Sequence, residues 1–324
     1  MENQRIVLAS HPEGWVSEQN FELQKSPLPK PAEGEVLVKN LWLSLDPYMR
    51  GRMSKAKSYV KGVEVGEVMV GQTAGEVLES KNPALKPGDK VLTQLGWQLY
   101  GTTKEAVKVD ASRVPLSYYL GVLGMPGMTA YFGLKEIGQP KAGETVLVSA
   151  ASGAVGSVVG QLAKIWGCRA VGIAGGREKC DYVKRELGFD ECFDYKEGKL
   201  REQLRDIDVY FDNVGGEILD LALARMKLFG RIVVCGMISD YNATEPYRVK
   251  NLRAVLVNRL KVQGMIVFDW KERYGEALKA LGGHLASGKL KTRESVVEGL
   301  ANAPQGLIAL LKGGNFGKQL VKLA

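Results

Sequence analysis

The sequence predicts an α/β protein in which a doubly wound parallel sheet follows a smaller, β-rich region. Up to about residue 114, short strand-like segments are separated by turns that contain proline and glycine, which is typical of a small β domain. After about residue 123, apolar strand-like runs alternate with segments of helical spacing, which indicates parallel strands joined by right-handed crossover helices. The chain of 324 residues is long enough for about two such domains.

The elements can be placed in order along the chain. In the first region we expect strands at residues 35–39, 66–78 and 90–92. The second region begins with residues 145–150, an apolar run of suitable length for a strand buried on both faces, and residues 153–166 follow with helical spacing. We expect further strands at residues 169–174, 191–194, 208–212, 230–235 and 260–267, further helices at 177–187, 216–228 and 271–287, and a helix followed by a final strand, residues 317–323, after residue 294.

The composition excludes several classes of protein. Lys and Arg outnumber Asp and Glu by 44 to 36, a net charge of +8, but the charges are interleaved and no run of five basic residues occurs. We therefore expect no nucleic-acid partner. No apolar stretch approaches the roughly 20 residues of a membrane span, and the N-terminus has no leader pattern. The four cysteines lack the paired spacing of a zinc site and fit a reducing compartment. We therefore expect a cytoplasmic protein. Because no apolar span occurs, we expect no membrane partner.

The strongest motif is the sequence VSAASGAVG at residues 148–156, which lies directly between a predicted strand and a predicted helix. A loop that binds a dinucleotide needs small residues where the backbone approaches the pyrophosphate and where the helix packs on the strand. Gly153 and Gly156 meet these needs, and Ala151 replaces the first glycine of the usual pattern. The N-terminus of the helix would offer its N–H groups to the phosphates. The motif predicts a dinucleotide site, and the alternative is a tight turn without a ligand.

The end of the second strand of this region indicates which dinucleotide would bind. An NAD site carries an acidic residue there, about 20 residues after the loop, that accepts a hydrogen bond from the ribose 2′-hydroxyl. This chain has IAGGREK at residues 173–179, so that two glycines and the cations Arg177 and Lys179 occupy the position. Cations would attract a 2′-phosphate, whereas a carboxylate would repel it. The sequence favours NADP(H), unless both cations are only surface residues of a first helical turn.

Two further segments follow predicted strands at their carboxyl ends, the edge where α/β sheets bind ligands. Asn213 follows the fourth strand of the region and is a candidate for hydrogen bonding to the nicotinamide or its ribose. Its alternative role is an Asx cap of the following helix. The sequence CGMISDY at residues 235–241 is placed in the same way after the fifth strand.

Together these segments resemble the medium-chain dehydrogenase/reductase superfamily. More narrowly, they are similar to its zinc-free branch of leukotriene B4 12-hydroxydehydrogenase/prostaglandin reductases, plant double-bond reductases and bacterial curcumin-reductase-like enzymes. The resemblance covers nearly the whole chain in order. It is carried by LDPYMR at 45–50, AASGAVG at 150–156, FDNVGG at 211–216, CGMISDYN at 235–242 and LKGGNFGK at 311–318.

The resemblance implies a GroES-like β domain formed from both chain ends, residues 1–122 and 291–324, and a Rossmann NADP-binding domain at residues 123–290. It also implies a homodimer joined through edge strands of the Rossmann sheet. Tyr48 would border the substrate, and Tyr241 would lie near the nicotinamide ribose and the substrate oxygen. The cofactor would contact Gly153, Ala154, Val155 and Gly156 at the pyrophosphate, Lys179 and Tyr195 at the 2′-phosphate, and elsewhere Asn213, Cys235, Gly236, Tyr241, Met265, Ile266, Val267 and Asn315.

The residues exclude the zinc chemistry of the alcohol dehydrogenases in this superfamily. Those enzymes bind a catalytic zinc ion through Cys and His, whereas the corresponding segment, residues 43–46, has neither, and the two histidines of the chain fit no ligand pattern. Without a metal, an α,β-unsaturated aldehyde or ketone is an easier substrate than a simple ketone. We expect hydride transfer to the β-carbon, an enolate stabilised by Tyr241, and a substrate oriented by Tyr48. Each tyrosine has the alternative of a packed aromatic residue, and Cys235 is expected to be a small buried residue rather than a nucleophile.

Three other functions fit the same sequence. An NADPH:quinone oxidoreductase would share the fold, the cofactor and the absence of zinc, and would differ in its substrate. A reductase of enoyl thioesters would act on acyl-CoA or carrier-bound substrates. A redox sensor would bind NADPH without turnover.

Overall fold

The computed structural model describes residues 2–56, 58 and 60–323 and divides the chain into two compact units. The first, here called the β unit, comprises Met1–Gly121, Glu294–Asn315 and Gln319–Ala324. The second, the α/β unit, comprises Val122–Arg293 and Phe316–Lys318. Three residues near the C-terminus therefore belong to the α/β unit, although the chain on both sides of them belongs to the β unit. No helix among the described residues is long and apolar enough to cross a membrane.

Strands and helices are numbered in chain order. The strands are β1 (Glu2–Leu8), β2 (Phe21–Pro27), β3 (Val36–Ser44), β4 (Thr73–Ser80), β5 (Lys90–Thr93), β6 (Tyr100–Thr103), β7 (Val107–Lys108), β8 (Thr145–Ser149), β9 (Arg169–Ala174), β10 (Glu191–Asp194), β11 (Ile207–Asp212), β12 (Met226–Val234), β13 (Lys261–Gly264), β14 (Glu294–Glu298) and β15 (Lys318–Lys322). The α-helices are α1 (Tyr48–Arg52), α2 (Met125–Phe132), α3 (Gly156–Ile165), α4 (Arg177–Arg185), α5 (Leu200–Gln203), α6 (Gly216–Leu223), α7 (Arg253–Val257), α8 (Tyr274–Ala286) and α9 (Ala303–Leu311), and a π-helical turn, Gly133–Gly138, continues α2.

The β unit is built on a mainly antiparallel sheet in the order β14-β15-β3-β4-β5-β7, with β6 paired to β3. β1 and β2 form a separate antiparallel pair. Alternation along the strands sends Val36, Val38 and Val77 into one buried cluster. The sequence predicts an all-β region up to residue 114, and this is wrong for a 3-10 turn, Glu18–Asn20, and for one α-helical turn. That turn, α1, follows Pro47, whose fixed φ angle suits the start of a helix.

The α/β unit is built on a six-stranded parallel sheet in the order β10-β9-β8-β11-β12-β13. Numbered within the unit, this order is 3-2-1-4-5-6, that of a Rossmann sheet. The structure confirms the doubly wound fold expected from the sequence. The order reverses between β8 and β11, which places the ligand crevice at the carboxyl ends of these two strands. Leu147, Tyr210 and Ile232, from three adjacent strands, belong to one buried core cluster.

Several predicted boundaries differ from the structure; the strand expected at residues 66–78, for example, is β4 at Thr73–Ser80, and three other cases show a common cause. Helix α3 begins at Gly156 rather than at residue 153, because residues 153–155 belong to the turn before it. Helix α6 ends at Leu223 rather than at residue 228, since Met226 already pairs with Ile207 in the parallel sheet. Strand β13 ends at Gly264 rather than at residue 267, where a 3-10 helix begins. In each case apolar residues also lie just outside the hydrogen-bonded element, so its boundary cannot be read from hydrophobicity.

The sequence pattern does not predict α2, α5, α7 and β14. The first turn of α2 contains Pro126 and Gly127, a pair of poor helix propensity. Glycine is required there, because a Cβ atom at Gly127 would lie 1.8 Å from the carbonyl oxygen of Val122. Helix α7 has only five residues, too few for a helical period to be recognised. The residues of β14 were included in the helix that the sequence predicts after residue 294.

Candidate cofactor site and active site

The loop between β8 and α3 is closed by its own backbone. Ala150, at a φ of 49°, begins the turn, and the N–H of Gly153 donates to its carbonyl oxygen at 2.9 Å. A Cβ atom on Gly156 would lie 2.3 Å from the same oxygen, so only glycine fits at the start of α3. Gly153, Ala154 and Val155 are half-buried, whereas Gly156 is buried. The predicted loop residues thus lie together at the N-terminus of a 10-residue helix, where backbone N–H groups suit an anion.

Residues 316–318 lie against this loop within the α/β unit. Gly317 forms a parallel bridge with Gly153, and its N–H donates to the carbonyl oxygen of Ser152 at 2.9 Å. Gly317 has a φ of 73°, and a Cβ atom there would lie 2.0 Å from the carbonyl oxygen of Arg293. The sequence pattern does not predict this contact. The available signal was Gly317 itself, a glycine at the start of the predicted final strand.

The turn between β9 and α4 is closed by side chains that follow β10. Oδ1 of Asp194 accepts hydrogen bonds from the N–H groups of Gly176 at 2.9 Å and Lys196 at 3.0 Å. The ring of Tyr195 packs on Gly175, where a Cβ atom would lie 2.7 Å from Cε1 of the ring. Tyr195, which the resemblance places at a 2′-phosphate, therefore lies beside the glycine pair at the end of β9.

The two cations of this turn differ in their surroundings. The Arg177 side chain is 92% exposed and lies 3.8 Å from the carboxylate of Asp181, as a surface residue does. Lys179 is half-buried, and its Nζ lies 5.9 Å from the centroid of the Phe316 ring. Burial lowers the pKa of Lys179, and the nearby charge of Lys196 lowers it further. The alternative role as a surface residue therefore fits Arg177 and does not fit Lys179.

The turn after β11 is organised by Asp212, which is fully buried. Its Oδ1 accepts hydrogen bonds from the N–H groups of Val214 at 3.0 Å and Gly215 at 2.9 Å. The same oxygen accepts from the hydroxyls of Tyr210 at 2.7 Å and Ser149 at 3.2 Å. Oδ2 has no hydrogen-bond partner among the residues that the structure describes. Burial raises the pKa of Asp212, although the hydrogen bonds to Oδ1 oppose this shift.

Asn213 is tied to the end of β8. Its backbone N–H donates to Oγ of Ser149 at 2.9 Å, and its Nδ2 donates to the carbonyl oxygen of Ser149 at 2.8 Å. The alternative role of Asn213 as an Asx cap of α6 is wrong, because the N-cap is Gly215 and the turn N–H groups bind Asp212 instead. Asn213 lies between the carboxyl ends of β8 and β11, where the crevice of such a sheet opens.

The segment after β12 starts from the same aspartate. The N–H groups of Cys235 and Gly236 donate to the carbonyl oxygen of Asp212 at 2.8 and 3.1 Å. Burial, and to a lesser degree the charge of Asp212, raises the pKa of the Cys235 thiol to about 12, a property of an unreactive thiol. Tyr241 is half-buried, and its hydroxyl accepts a 3.4 Å hydrogen bond from the N–H of Met237. The Tyr241 hydroxyl therefore lies beside the backbone that leaves the carboxyl end of β12.

The remaining predicted residues are divided between the two units. Met265 follows β13, is buried, and donates its N–H to the end of β12 at 3.1 Å. Ile266 and Val267 come next, half-buried and buried. In the β unit, Tyr48 is the first residue of α1 and Asn315 follows α9, and both are half-buried. The α/β unit thus brings the other predicted contacts together along one edge of its sheet, and Tyr48 and Asn315 belong to the β unit.

Known proteins resemble this chain in sequence and in fold. Two family profiles match the chain, "N-terminal domain of oxidoreductase" at residues 4–109 and "Zinc-binding dehydrogenase" at residues 154–282. The NADPH-dependent curcumin reductase of Escherichia coli (strain K12) is 47% identical over 99% of this chain and 97% of that protein. The chain belongs to the medium-chain dehydrogenase/reductase family.

Two further members of the medium-chain dehydrogenase/reductase family narrow the comparison. The 2-alkenal reductase (NADP(+)-dependent) of Nicotiana tabacum is 45% identical over 99% of this chain and 98% of that protein. The crystal structure of CurA from Vibrio vulnificus in complex with NADPH superimposes with a TM-score of 0.93 at 46% identity, covering 99% of both chains. This agreement over both units confirms the Rossmann sheet with a GroES-like β domain formed from both chain ends.

One of the two family profiles is described as zinc-binding. Within the described ranges of this medium-chain dehydrogenase/reductase, no three side chains of His, Cys, Asp or Glu are grouped so as to hold a metal ion. His11 lies in the β unit, where its Nδ1 is 2.8 Å from the carbonyl oxygen of Met53. His284 lies in the last turn of α8.

Proposed function

We propose that this medium-chain dehydrogenase/reductase uses NADPH to reduce the carbon–carbon double bond of α,β-unsaturated aldehydes and ketones. The observation that carries the proposal is the identity of 47% and 45%, over nearly the whole chain, to an NADPH-dependent curcumin reductase and a 2-alkenal reductase. The residues of the α/β unit fit the cofactor in those names.

Each anionic group of NADPH has a fitting feature in the α/β unit. The pyrophosphate would lie on the loop that ends at the N-terminus of α3, where glycine at 156 keeps the helix close to the strand. The 2′-phosphate would lie beside β9, where Lys179 supplies a half-buried cation and Tyr195 a hydroxyl. The residues we assign to the cofactor are Gly153, Ala154, Val155, Gly156, Lys179, Tyr195, Asn213, Cys235, Gly236, Tyr241, Met265, Ile266, Val267 and Asn315.

Tyr241 is the residue we assign to the chemistry. When bound, NADPH supplies the hydride that reduces the β-carbon of the substrate. Negative charge develops on the substrate carbonyl oxygen, and a hydrogen bond donated by the Tyr241 hydroxyl would stabilise it. The hydroxyl accepts a 3.4 Å hydrogen bond from the N–H of Met237, which places it beside the carboxyl end of β12. The α-carbon would take a proton from the same hydroxyl or from water, and Tyr48 would orient the substrate.

We propose that the reaction needs no zinc ion. The segment at residues 43–46, which corresponds to the first zinc ligand in the family's alcohol dehydrogenases, reads LSLD and offers neither Cys nor His. An enolate spreads its charge over several atoms, so a hydrogen-bond donor can replace a Lewis acid. Activity that survives dialysis against a chelator would support this assignment.

The test of the function is NADPH consumption with an enone and a 2-alkenal, measured beside NADH and beside a quinone. We expect turnover of both alkenes to saturated products, with a strong preference for NADPH. Turnover of quinones alone, or of enoyl thioesters alone, would overturn the substrate and keep the cofactor. Cofactor binding without turnover of any acceptor would favour a redox sensor.

Substitution of Tyr241 tests its assigned role. Tyr241→Phe removes the donor and keeps the ring, so kcat for the enone should fall by roughly 10²- to 10³-fold, as when one oxyanion donor is removed. The matched control is Tyr119→Phe, because the Tyr119 hydroxyl donates to the carbonyl oxygen of Asp110 in the β unit. A Tyr241→Phe enzyme as active as the control would refute the assignment.

We also propose a homodimer joined through β13. This is the outer strand of the parallel sheet, and all four of its residues are exposed. Large apolar side chains are exposed to solvent on and near this strand, namely Val262 on β13 and Leu252, Leu256 and Val257 at α7, with Leu256 79% exposed. An exposed strand edge with apolar neighbours favours pairing with a second copy across a twofold axis.

Light scattering of the purified protein tests the homodimer. The wild-type chain should have the mass of a dimer, and Val262→Lys should shift it to the monomer. Val107→Lys is the control, because Val107 is exposed on β7, the outer strand of the other sheet. A monomeric wild-type protein, or a dimer that both variants keep, would overturn the assignment of β13.

The functional domains and the location complete the proposal. We assign residues 1–122 and 291–324 to a domain that contributes Tyr48 to catalysis, and residues 123–290 to the NADP-binding domain. We place the protein in the cytoplasm, which the free thiols of Cys168, Cys180, Cys192 and Cys235 support.

A further inference from the structure

The three C-terminal residues that belong to the α/β unit, Phe316–Lys318, reach two places in the cofactor site. Gly317 binds the loop before α3 through its bridge to Gly153 and its hydrogen bond to Ser152. The preceding residue, Phe316, lies against α4, where its ring is close to the side chains of Lys179 and Tyr182. One short segment thus contacts both the loop assigned to the pyrophosphate and the helix that carries Lys179, the cation assigned to the 2′-phosphate.

The ring of Phe316 is held on more than one side. The guanidinium carbon of Arg293 lies 3.8 Å from its centroid. The ring of Tyr182 meets it edge-on, with centroids 4.9 Å apart and an angle of 84°. Arg293 also lies 5.3 Å from the centroid of Tyr182. The position of the Phe316 ring is therefore fixed by these two neighbours and by the backbone bonds of Gly317.

Lys179 is the second cation at this ring. Its Nζ lies 5.9 Å from the Phe316 centroid, within the distance at which a ring face attracts an ammonium group. Lysine has a long, flexible side chain, and holding it in one direction costs conformational entropy. A fixed aromatic face reduces that cost, because it favours the conformations in which the ammonium group stays over the ring.

We propose that Phe316 is a specificity-determining positioning residue that holds the Lys179 ammonium group for the 2′-phosphate of NADPH. The inference rests on the proposed function, in which Lys179 contacts that phosphate. Phe316 acts through Lys179 and contacts no reacting atom. Its removal weakens the binding of cofactors that carry the 2′-phosphate and spares those that lack it.

The experiment compares ligands with and without the phosphate. In Phe316→Leu, the affinity for 2′,5′-ADP and kcat/KM for NADPH should fall about tenfold, the loss of one partly buried cation–π contact. The affinity for 5′-AMP and kcat/KM for NADH should stay unchanged. Phe316→Tyr keeps the ring and should restore the preference. Phe229→Leu is the matched control. The guanidinium carbon of Arg259 lies 4.9 Å from the ring centroid of Phe229, and we assign Phe229 no role in the cofactor site.

A double variant separates the possible results. If Phe316 acts through Lys179, Phe316→Leu should not change the ligand preference further once Lys179→Ala is present. Equal losses for ligands with and without the phosphate would overturn the inference, since they would show a structural role only. If Phe316→Leu does not fold, Phe316→Met, which fills the space without an aromatic face, should give the same selective loss.

Ligand binding and turnover distinguish a failure of the inference from a failure of the proposed function. Binding of 2′,5′-ADP and 5′-AMP is measured without turnover, so the role of Phe316 can be decided even if no enone is reduced. If Lys179→Ala leaves the preference for 2′,5′-ADP unchanged, the assignment of Lys179 in the proposed function fails. If Lys179→Ala abolishes that preference and Phe316→Leu leaves it intact, the inference alone fails.

Discussion

Two turns at the carboxyl edge of the parallel sheet are closed by aspartates in opposite surroundings. After β11, the fully buried Asp212 accepts two N–H groups of its own turn and two buried hydroxyls. At the end of β10, the half-buried Asp194 accepts the N–H groups of Gly176, in the turn between β9 and α4, and of Lys196. The turn after β11, here called the inner turn, belongs to the core together with the β8 loop beside it. The turn between β9 and α4, here called the outer turn, is held by partly exposed side chains. A change at the inner turn should therefore cost stability, and a change at the outer turn should alter the preference between cofactors.

The largest effect is expected at Gly156, in the inner region. In Gly156→Val, a Cβ atom would lie 2.3 Å from the carbonyl oxygen of Ala150, and backbone cannot move away as a flexible side chain can. We expect the free energy of unfolding to fall by about 3 kcal/mol or more, or the protein to be insoluble. Urea denaturation followed by circular dichroism measures this.

A glycine in open space provides the control for Gly156. A Cβ atom on Gly282, in the middle of α8, would have no atom within 4 Å. Gly282→Ala should stabilise the protein by up to about 1 kcal/mol, because alanine has the higher helix propensity. If Gly156→Val were as stable as this control, the loop before α3 would not be part of the rigid core, and the contrast between the two turns would disappear.

The second prediction tests Asp212 through pH. Burial raises the pKa of Asp212 in the folded protein, so the folded state binds this proton more tightly than the unfolded state, where the pKa is about 4. The protonated carboxyl therefore contributes stability below about pH 4, and this contribution is lost as the pH rises through the folded pKa. Asp212→Asn cannot titrate. The stability advantage of the wild type over Asp212→Asn should therefore be largest in acid and shrink as the pH rises.

Urea denaturation of both proteins between about pH 4 and pH 8 measures this difference, and each unit of pKa shift corresponds to about 1.4 kcal/mol. An advantage of the wild type that grows with pH would contradict the prediction. It would mean that the four hydrogen bonds to Oδ1 outweigh the burial of the carboxylate.

The contrast between the two regions also explains what the sequence could predict. Gly153 and Gly156 are recognisable because a loop between a buried strand and a helix requires small residues at neighbouring positions in the chain. The parallel sheet follows from the alternation of strands and helices, since parallel strands need crossover connections, and these are right-handed. Both rules act over short stretches of sequence, and both gave the fold and the inner loop correctly.

Other parts of the site depend on contacts between distant positions. Ser149 and Asp212 are 63 positions apart, and only the sheet brings them together. The role of Asn213 was open for the same reason, because its partner proved to be Ser149 rather than the helix that follows it. Arg177 and Lys179 are alike in the sequence, and the ring of Phe316, from the far end of the chain, is part of what distinguishes their surroundings.

The smallest effect is expected at Asp194, in the outer turn. Asp194→Ala removes the acceptor of two backbone N–H groups in a partly exposed site, which should cost about 1 kcal/mol of stability. The turn that carries Lys179 would then be less fixed, so kcat/KM for NADPH should fall a few-fold while kcat/KM for NADH stays the same. Enone turnover with both cofactors and urea denaturation measure these two quantities.

Asp194→Asn separates the two properties of this carboxylate. The amide keeps an acceptor oxygen for Gly176 and Lys196 but removes a negative charge from the turn that we assign to the 2′-phosphate. If the hydrogen bonds matter most, Asp194→Asn should behave like the wild type; if repulsion of the phosphate matters most, it should bind NADPH more tightly. In either case stability should change little, because the site is partly exposed. A loss of stability as large as that of Gly156→Val would show that the outer turn belongs to the core as much as the inner one.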